Sequence, residues 1–120
     1  MPFLFPKSQK LTSRDEISQL VSHGKTLFKY PFKVWYIPRP DGWEPRYVVS
    51  VPKKNFKRAV HRNLLKRRTR EAIRLNQKEI LGSFTADYFF VYIAKEFCDY
   101  SVIEAAVKEL LHTPKKHLEQ

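Results

Sequence analysis

The residues with the most chemical content lie between Lys53 and Arg74, in the run KKNFKRAVHRNLLKRRTREAIR. Ten of the chain's 23 lysines and arginines fall there, against a single acid, Glu71. A solvated helix face ordinarily mixes signs, because like charges one turn apart repel. A surface this uniformly cationic is suited to a polyanion: guanidinium groups grip phosphate oxygens in pairs and stack on bases, while ammonium groups add point charge. Nucleic acid is therefore the expected ligand. A membrane surface fits less well, since the apolar side of the run carries no Trp or Phe to insert after its start. Asn63 adds an amide that both donates and accepts, which suits it to reading a base edge, and its alternative is a polar residue on an exposed helix.

From Ala59 onward the run has no Gly or Pro and few β-branched residues, so a helix is expected. At about 100° per residue, Arg62, Lys66, Arg70 and Arg74 form one row, with Asn63 and Arg67 beside it. Val60, Leu64, Leu65, Ala72 and Leu75 are expected on the opposite, core-facing side. Lys53, Lys54 and Arg58 precede the helix and extend the same cationic surface.

The whole chain carries a formal net charge of +11 on 120 residues, and 42% hydrophobic residues suffice for one core, so a single domain is expected. The lone cysteine, Cys98, excludes a disulfide framework and fits a reducing cytoplasm. No apolar run has the length to cross a bilayer, and the opening MPFLFPKSQK is broken by Pro2 and Pro6 where a signal peptide needs an apolar stretch. A soluble, cytoplasmic protein is expected. There is no Gly-rich phosphate loop, no paired CxxC and no HExxH; His23, His61, His112 and His117 are scattered without metal-ligand spacing. Acids are few and do not pair for general acid–base work. The chain's own side chains are not expected to be catalytic, and His61 reads as a surface or phosphate-contacting residue.

The elements that must position the basic run follow from pattern. Residues 1–12 read as a flexible extended arm. Ser13 to Glu16 is a capping box opening a helix over Arg14–His23, ended by Gly24. Strands are expected over Lys25–Lys29, Phe32–Ile37 and Arg46–Val51, with Pro38–Pro45 as a hairpin loop between the last two. Asp87–Ala94 is an apolar run expected as a central strand covered on both faces. A second capping box at Ser101–Glu104 opens a helix to His112, with Pro114 as its stop and a flexible tail over about 113–120. The order αβββαβα, a strand–helix–strand unit with other helices packed on one side of a small sheet, predicts an α/β sandwich. Along the second strand, Lys33, Trp35 and Ile37 share a face. Trp35 is either a platform for unpaired bases or a core residue, and the sequence leaves both open.

Val51-Pro-Lys-Lys54 followed by Ala59-Val60-His61-Arg62-Asn63, Lys66-Arg67-Arg68 and Arg70-Glu71-Ala72 resembles the signature helix of the bacterial ribonuclease P protein component. The likeness extends over nearly the whole chain. It implies a two-layer αβββαβα sandwich with a left-handed βαβ crossover, like the second domain of ribosomal protein S5. It also implies a heteromeric ribonucleoprotein, in which this chain partners the catalytic RNA of ribonuclease P. That assembly removes the 5′ leader of precursor tRNA by Mg²⁺-dependent hydrolysis, with the Mg²⁺ held mainly by the RNA. By the same likeness Arg62, Asn63, Lys66, Arg67 and Arg70 face RNA, and Lys53 and Lys54 support that surface. A leader-binding cleft between the first helix and the sheet would include Ile17, Val21 and Trp35. The first-helix positions are often Phe in the family, and aliphatic Ile17 and Val21 cannot stack on bases as rings do.

Two rival readings keep their own signatures. A structural RNA-binding protein, such as a ribosomal protein of similar architecture, predicts residence in ribosomal particles and no effect on tRNA ends. A nuclease acting without RNA needs paired carboxylates, which the sequence lacks.

Overall fold

The first helix, α1 (Arg14–His23), places Asp15 and Glu16 in its opening turn, where the positive end of the helix dipole favours acids. It ends at Gly24, whose N–H donates to the Leu20 carbonyl at 2.8 Å. A Cβ on Gly24 would lie 2.3 Å from the Leu20 oxygen and 3.1 Å from that of Tyr36, so only glycine allows this close turn into the sheet. The structure is a computed structural model that describes residues 14–39, 45–79 and 85–118. The expected N-terminal arm lies outside the described residues.

Four strands follow: β1 (Lys25–Lys29), β2 (Phe32–Pro38), β3 (Arg46–Ser50) and β4 (Ala86–Tyr92). Their spatial order is β1-β2-β4-β3. Strand β4 pairs antiparallel with β2 and parallel with β3. β2 and β3 are therefore not a hairpin, contrary to the reading of residues 38–45. The most apolar strand inserts between them because the centre of the sheet buries the most surface. Helix α2 (Ala59–Asn76) is the crossover that links the parallel pair.

Alternation divides the sheet. Phe32, Val34, Tyr36, Tyr47, Val49, Tyr88, Phe90 and Tyr92 are buried in one core with Leu65, Ala72 and Ile73 of α2 and the inner stripe of α3 (Tyr100–Leu118). Helix α1 is not in that layer. It packs on β2 and β4 from the other face, where its Glu16 meets Arg46, and its buried Leu20 stays outside the main core. The expectation that the helices outside the strand–helix–strand unit share one side of the sheet is corrected accordingly, since α3 lies in the core layer and α1 does not. Helix α3 also continues past Pro114 to Leu118 rather than stopping near His112, so most of the expected tail is helical.

Along α2 the buried stripe is Leu65, Thr69, Ala72, Ile73 and Asn76. Val60 and Leu75, expected in the core, are 67% and 44% exposed. The two polar core residues are satisfied by their own helix: the Thr69 hydroxyl donates to the Leu65 carbonyl and the Asn76 amide to that of Ala72, both at 2.8 Å.

Candidate nucleic-acid interface

The cationic row is set by α2 and by the turn that leads into it. Lys53 and Lys54 are exposed on that turn, and Arg58 is the N-cap residue of α2, exposed and without a side-chain cap hydrogen bond. No acid lies in the first helical turn to offset the positive end of the dipole. Arg62 has a structural duty, since its Nη1 donates to the carbonyls of Phe56 at 2.7 Å and Lys57 at 2.8 Å and so closes the turn. Asn63 and Arg67 are exposed, with Lys66 and Arg70 half-buried beside them. Burial, with Arg70 and Arg62 close by, pushes the Lys66 ammonium below its ordinary pKa; burial alone lowers Arg70. Among the described residues no acid pairs with Lys66, Arg67 or Arg70. At the far end Arg74 pairs with Glu71, its Nε donating at 3.1 Å. The row is thus strongest in its middle, from Asn63 to Arg70.

The second surface is the face of the sheet that α1 covers in part. Trp35 stacks on Phe89 of the neighbouring strand, centroids 5.6 Å apart and planes 28° apart. The Lys33 ammonium lies over the Trp35 ring at 4.8 Å. Both rings are half-buried, so Trp35 belongs neither to the sealed core nor to open solvent. Phe89 was hidden within an almost continuous apolar run, and only the alternation of β4 sets it opposite Trp35. On α1, Leu20 is the buried anchor, Ile17 is half-buried and Val21 is exposed.

Besides Leu20, a buried carboxylate ties α1 to this face. Asp87, 1% exposed, accepts from Arg39 Nε at 2.8 Å and from Arg46 Nε and Nη2 at 2.9 and 2.8 Å. Arg46 in turn bonds Glu16 of α1. The hydrogen bond to Asp87 raises the Arg46 guanidinium further above its ordinary pKa, against the opposing pull of burial. In sequence, Asp87 shows only as the first residue of the apolar run, with no signal of this role.

Among the described residues no three His, Cys, Asp or Glu gather as a metal ligand set. Asp87 and Glu71 are both engaged by arginines. No helix among the described residues is long and apolar enough to cross a membrane.

Comparison with known proteins gives consistent relatives. A sequence model of the Ribonuclease P family matches residues 5–115. The ribonuclease P protein component of Porphyromonas gingivalis is 38% identical over 120 aligned residues, spanning 91% of this chain and 85% of the relative. The ribonuclease P protein of Thermotoga maritima superposes with a TM-score of 0.72 at 26% identity, over 87% of this chain and 96% of that one. The Staphylococcus aureus protein shares the fold, with a TM-score of 0.70 at 20% identity over 91% of this chain and 97% of its own. The four-stranded mixed sheet and its three helices are the architecture of those structures, and the chain belongs to the ribonuclease P protein family.

Proposed function

We propose that this chain is the RNA-binding subunit of ribonuclease P, holding the catalytic RNA on the front of α2 and the 5′ leader of precursor tRNA on the open face of the sheet. The observation that carries this reading is the cluster of Lys66, Arg67 and Arg70, with which no acid pairs among the described residues, two of its members being half-buried and held below their ordinary pKa. Desolvated cations crowded together raise the free energy of the unbound protein, and a phosphate backbone removes that strain while releasing its own counterions. Arg62 supports the surface by fixing the turn before α2, and Lys53, Lys54 and Arg58 extend it. Leader contact falls to the Trp35–Phe89 pair, with Lys33 at hand for a phosphate and Ile17 and Val21 as an apolar wall.

In this reading the protein performs no bond-breaking step. Catalytic RNA and substrate are both polyanions, and a subunit of charge +11 screens their repulsion while the open face retains the single strand. The hydrolysis and its Mg²⁺ remain with the RNA, and no side chain of this chain is assigned to them.

The test is leader cleavage of a precursor tRNA at low Mg²⁺ with the cognate catalytic RNA alone, the protein alone and both together. Efficient cleavage with both only is expected, with loss of the protein's contribution in an Arg67→Ala/Arg70→Ala double variant. A protein that binds RNA tightly yet leaves cleavage unchanged would move the function to structural RNA binding.

A further inference from the structure

Because β3 and β4 are parallel, both release the chain at the same end of the sheet. This brings together two connections that are far apart in sequence, the turn before α2 and the loop after β4. Lys54 and Asn55 from the first and Lys95 from the second line an open pocket of about 340 Å³. Next to Asn55 in the chain, Phe56 is buried against Tyr92, with ring centroids 5.7 Å apart. Phe97, two residues after Lys95, meets Phe56 at 5.1 Å and 69°, and His61 of α2 meets Phe97 at 4.9 Å and 88°. Both contacts are edge-type, so among the described residues no ring lies parallel on Phe97, which stays 44% exposed.

This ring is anchored at the core and uncovered at the surface. The two lysines of the pocket are equally uncommitted: among the described residues neither Lys54 nor Lys95 pairs with an acid. Of the acids in the loop, Glu96 is engaged by the Tyr30 hydroxyl, while the backbone carbonyl of Asp99 receives the N–H groups of Val102 and Ile103 at the start of α3. A pocket lined by two lysines and an amide, with a half-exposed aromatic two residues along the chain from one of those lysines, has the makings of a nucleotide site: charge, a base- or sugar-edge partner and a π-face. The pocket volume falls at the lower end of the range for small-ligand sites, from about 300 Å³ upward.

We propose that this end of the sheet binds one unpaired RNA nucleotide, its base on Phe97 and its phosphate between Lys54 and Lys95, with Asn55 bonding the base or sugar. The inference rests on the RNA-binding reading above, and it adds a site separate from the Trp35–Phe89 pair on the open sheet face. The nucleotide belongs either to the substrate leader or to the catalytic RNA, which present the same chemistry.

The experiment uses the full chain and two probes, a short single-stranded oligoribonucleotide of leader sequence and the catalytic RNA without substrate. Phe97→Leu keeps the apolar contact with Phe56 but removes the ring. It is expected to weaken at least one probe by about fivefold to tenfold or more, from the usual worth of a base–aromatic stack. Loss on the oligoribonucleotide assigns the nucleotide to the leader, and loss on the catalytic RNA assigns it to that subunit. Phe97→Trp should keep affinity and add fluorescence quenching on binding beyond that of the wild type, which serves as the deciding readout if Phe97→Leu fails to fold. Unchanged affinity of Phe97→Leu for both probes, while Arg67→Ala/Arg70→Ala weakens the catalytic RNA and Trp35→Ala the oligoribonucleotide, overturns the proposal alone. Failure of the wild type to bind either probe overturns the RNA-binding reading with it.

Discussion

The two faces of the sheet are written in the same strands and do different work. On β4, Tyr88, Phe90 and Tyr92 point into the core and are fully buried, whereas Phe89 and Val91, one residue away, are only half-covered. The core face is closed by two helices through apolar contact. The open face is closed in part by one short helix, and that helix is fastened by the Leu20 side chain and an ion network through Glu16, Arg46 and Asp87. Apolar contact is non-directional and seals what it covers, whereas a polar fastening at one end can hold a helix down and leave aromatic surface beside it uncovered. The difference separates stability from binding within a single sheet, and substitution can test it.

The largest effect is expected where the core face is cut. Phe90, packed edge-on against Phe32 with centroids 5.8 Å apart, should cost about 3–5 kcal/mol of stability when changed to Ala. Denaturant unfolding measures it. A cost below that of Trp35→Ala would erase the distinction between the faces.

The next effect belongs to the fastening of the open face. Asp87→Ala leaves Arg39 and Arg46 without their shared partner and should cost about 2–4 kcal/mol, reduced from the fully buried case because both arginines keep some solvent. Asp87→Asn should recover part of this, since one oxygen can still accept. Hydrogen exchange should report the loss first in α1, with α2 and α3 protected as before. Uniform loss of protection would mean that Asp87 holds the whole sheet rather than one helix.

Trp35→Ala should reverse the pattern. Stability should change by less than Phe90→Ala causes, while affinity for a single-stranded oligoribonucleotide falls by about 1–3 kcal/mol, the worth of one base on an aromatic ring. Phe89→Leu should do the same to a smaller extent, because it removes the ring that Trp35 rests on. Equal loss of stability and no loss of affinity would make Trp35 a core residue after all.

How legible this was depends on whether local pattern or long-range pairing decides each feature. Helix α1 and the start of α2 were readable to the residue, because acids, the terminal Gly24 and the absence of breakers are local signals. The position of β4 between β2 and β3 was not, because strand order is set by which strand gains most from the centre. The α2 stripe shows the same limit. Residue type marked Val60 and Leu75 for the core, yet the helix buries Thr69 and Asn76, whose polar groups it satisfies from its own carbonyls. The cationic row was legible as charge, but the duty of Arg62 to two turn carbonyls and the pairing of Arg74 with Glu71 needed coordinates. The network at Asp87 and the stack of Trp35 on Phe89 are long-range pairings that no local pattern announces.

The smallest effect lies at a polar atom that the core face leaves unanswered. The Tyr88 hydroxyl is buried and has no hydrogen-bond partner among the described residues. Its ring stacks on Tyr47, centroids 5.3 Å apart and planes 12° apart, while the Tyr47 hydroxyl donates to Gln77 Oε1 at 3.0 Å. Burial, reinforced by Tyr47 and Tyr36, pushes the Tyr88 phenol well above its usual pKa, so it stays neutral and its cost is that of a desolvated hydroxyl. Removing that oxygen keeps the ring stack and relieves the desolvation, so Tyr88→Phe should raise stability by about 1 kcal/mol. Tyr47→Phe should move the other way by a similar amount, because it breaks the bond to Gln77. Two tyrosines stacked in one core layer would then respond to the same substitution with opposite signs. A loss of stability in Tyr88→Phe would instead place a buried water or another partner on that hydroxyl, and the core face would be less purely apolar than its contacts describe.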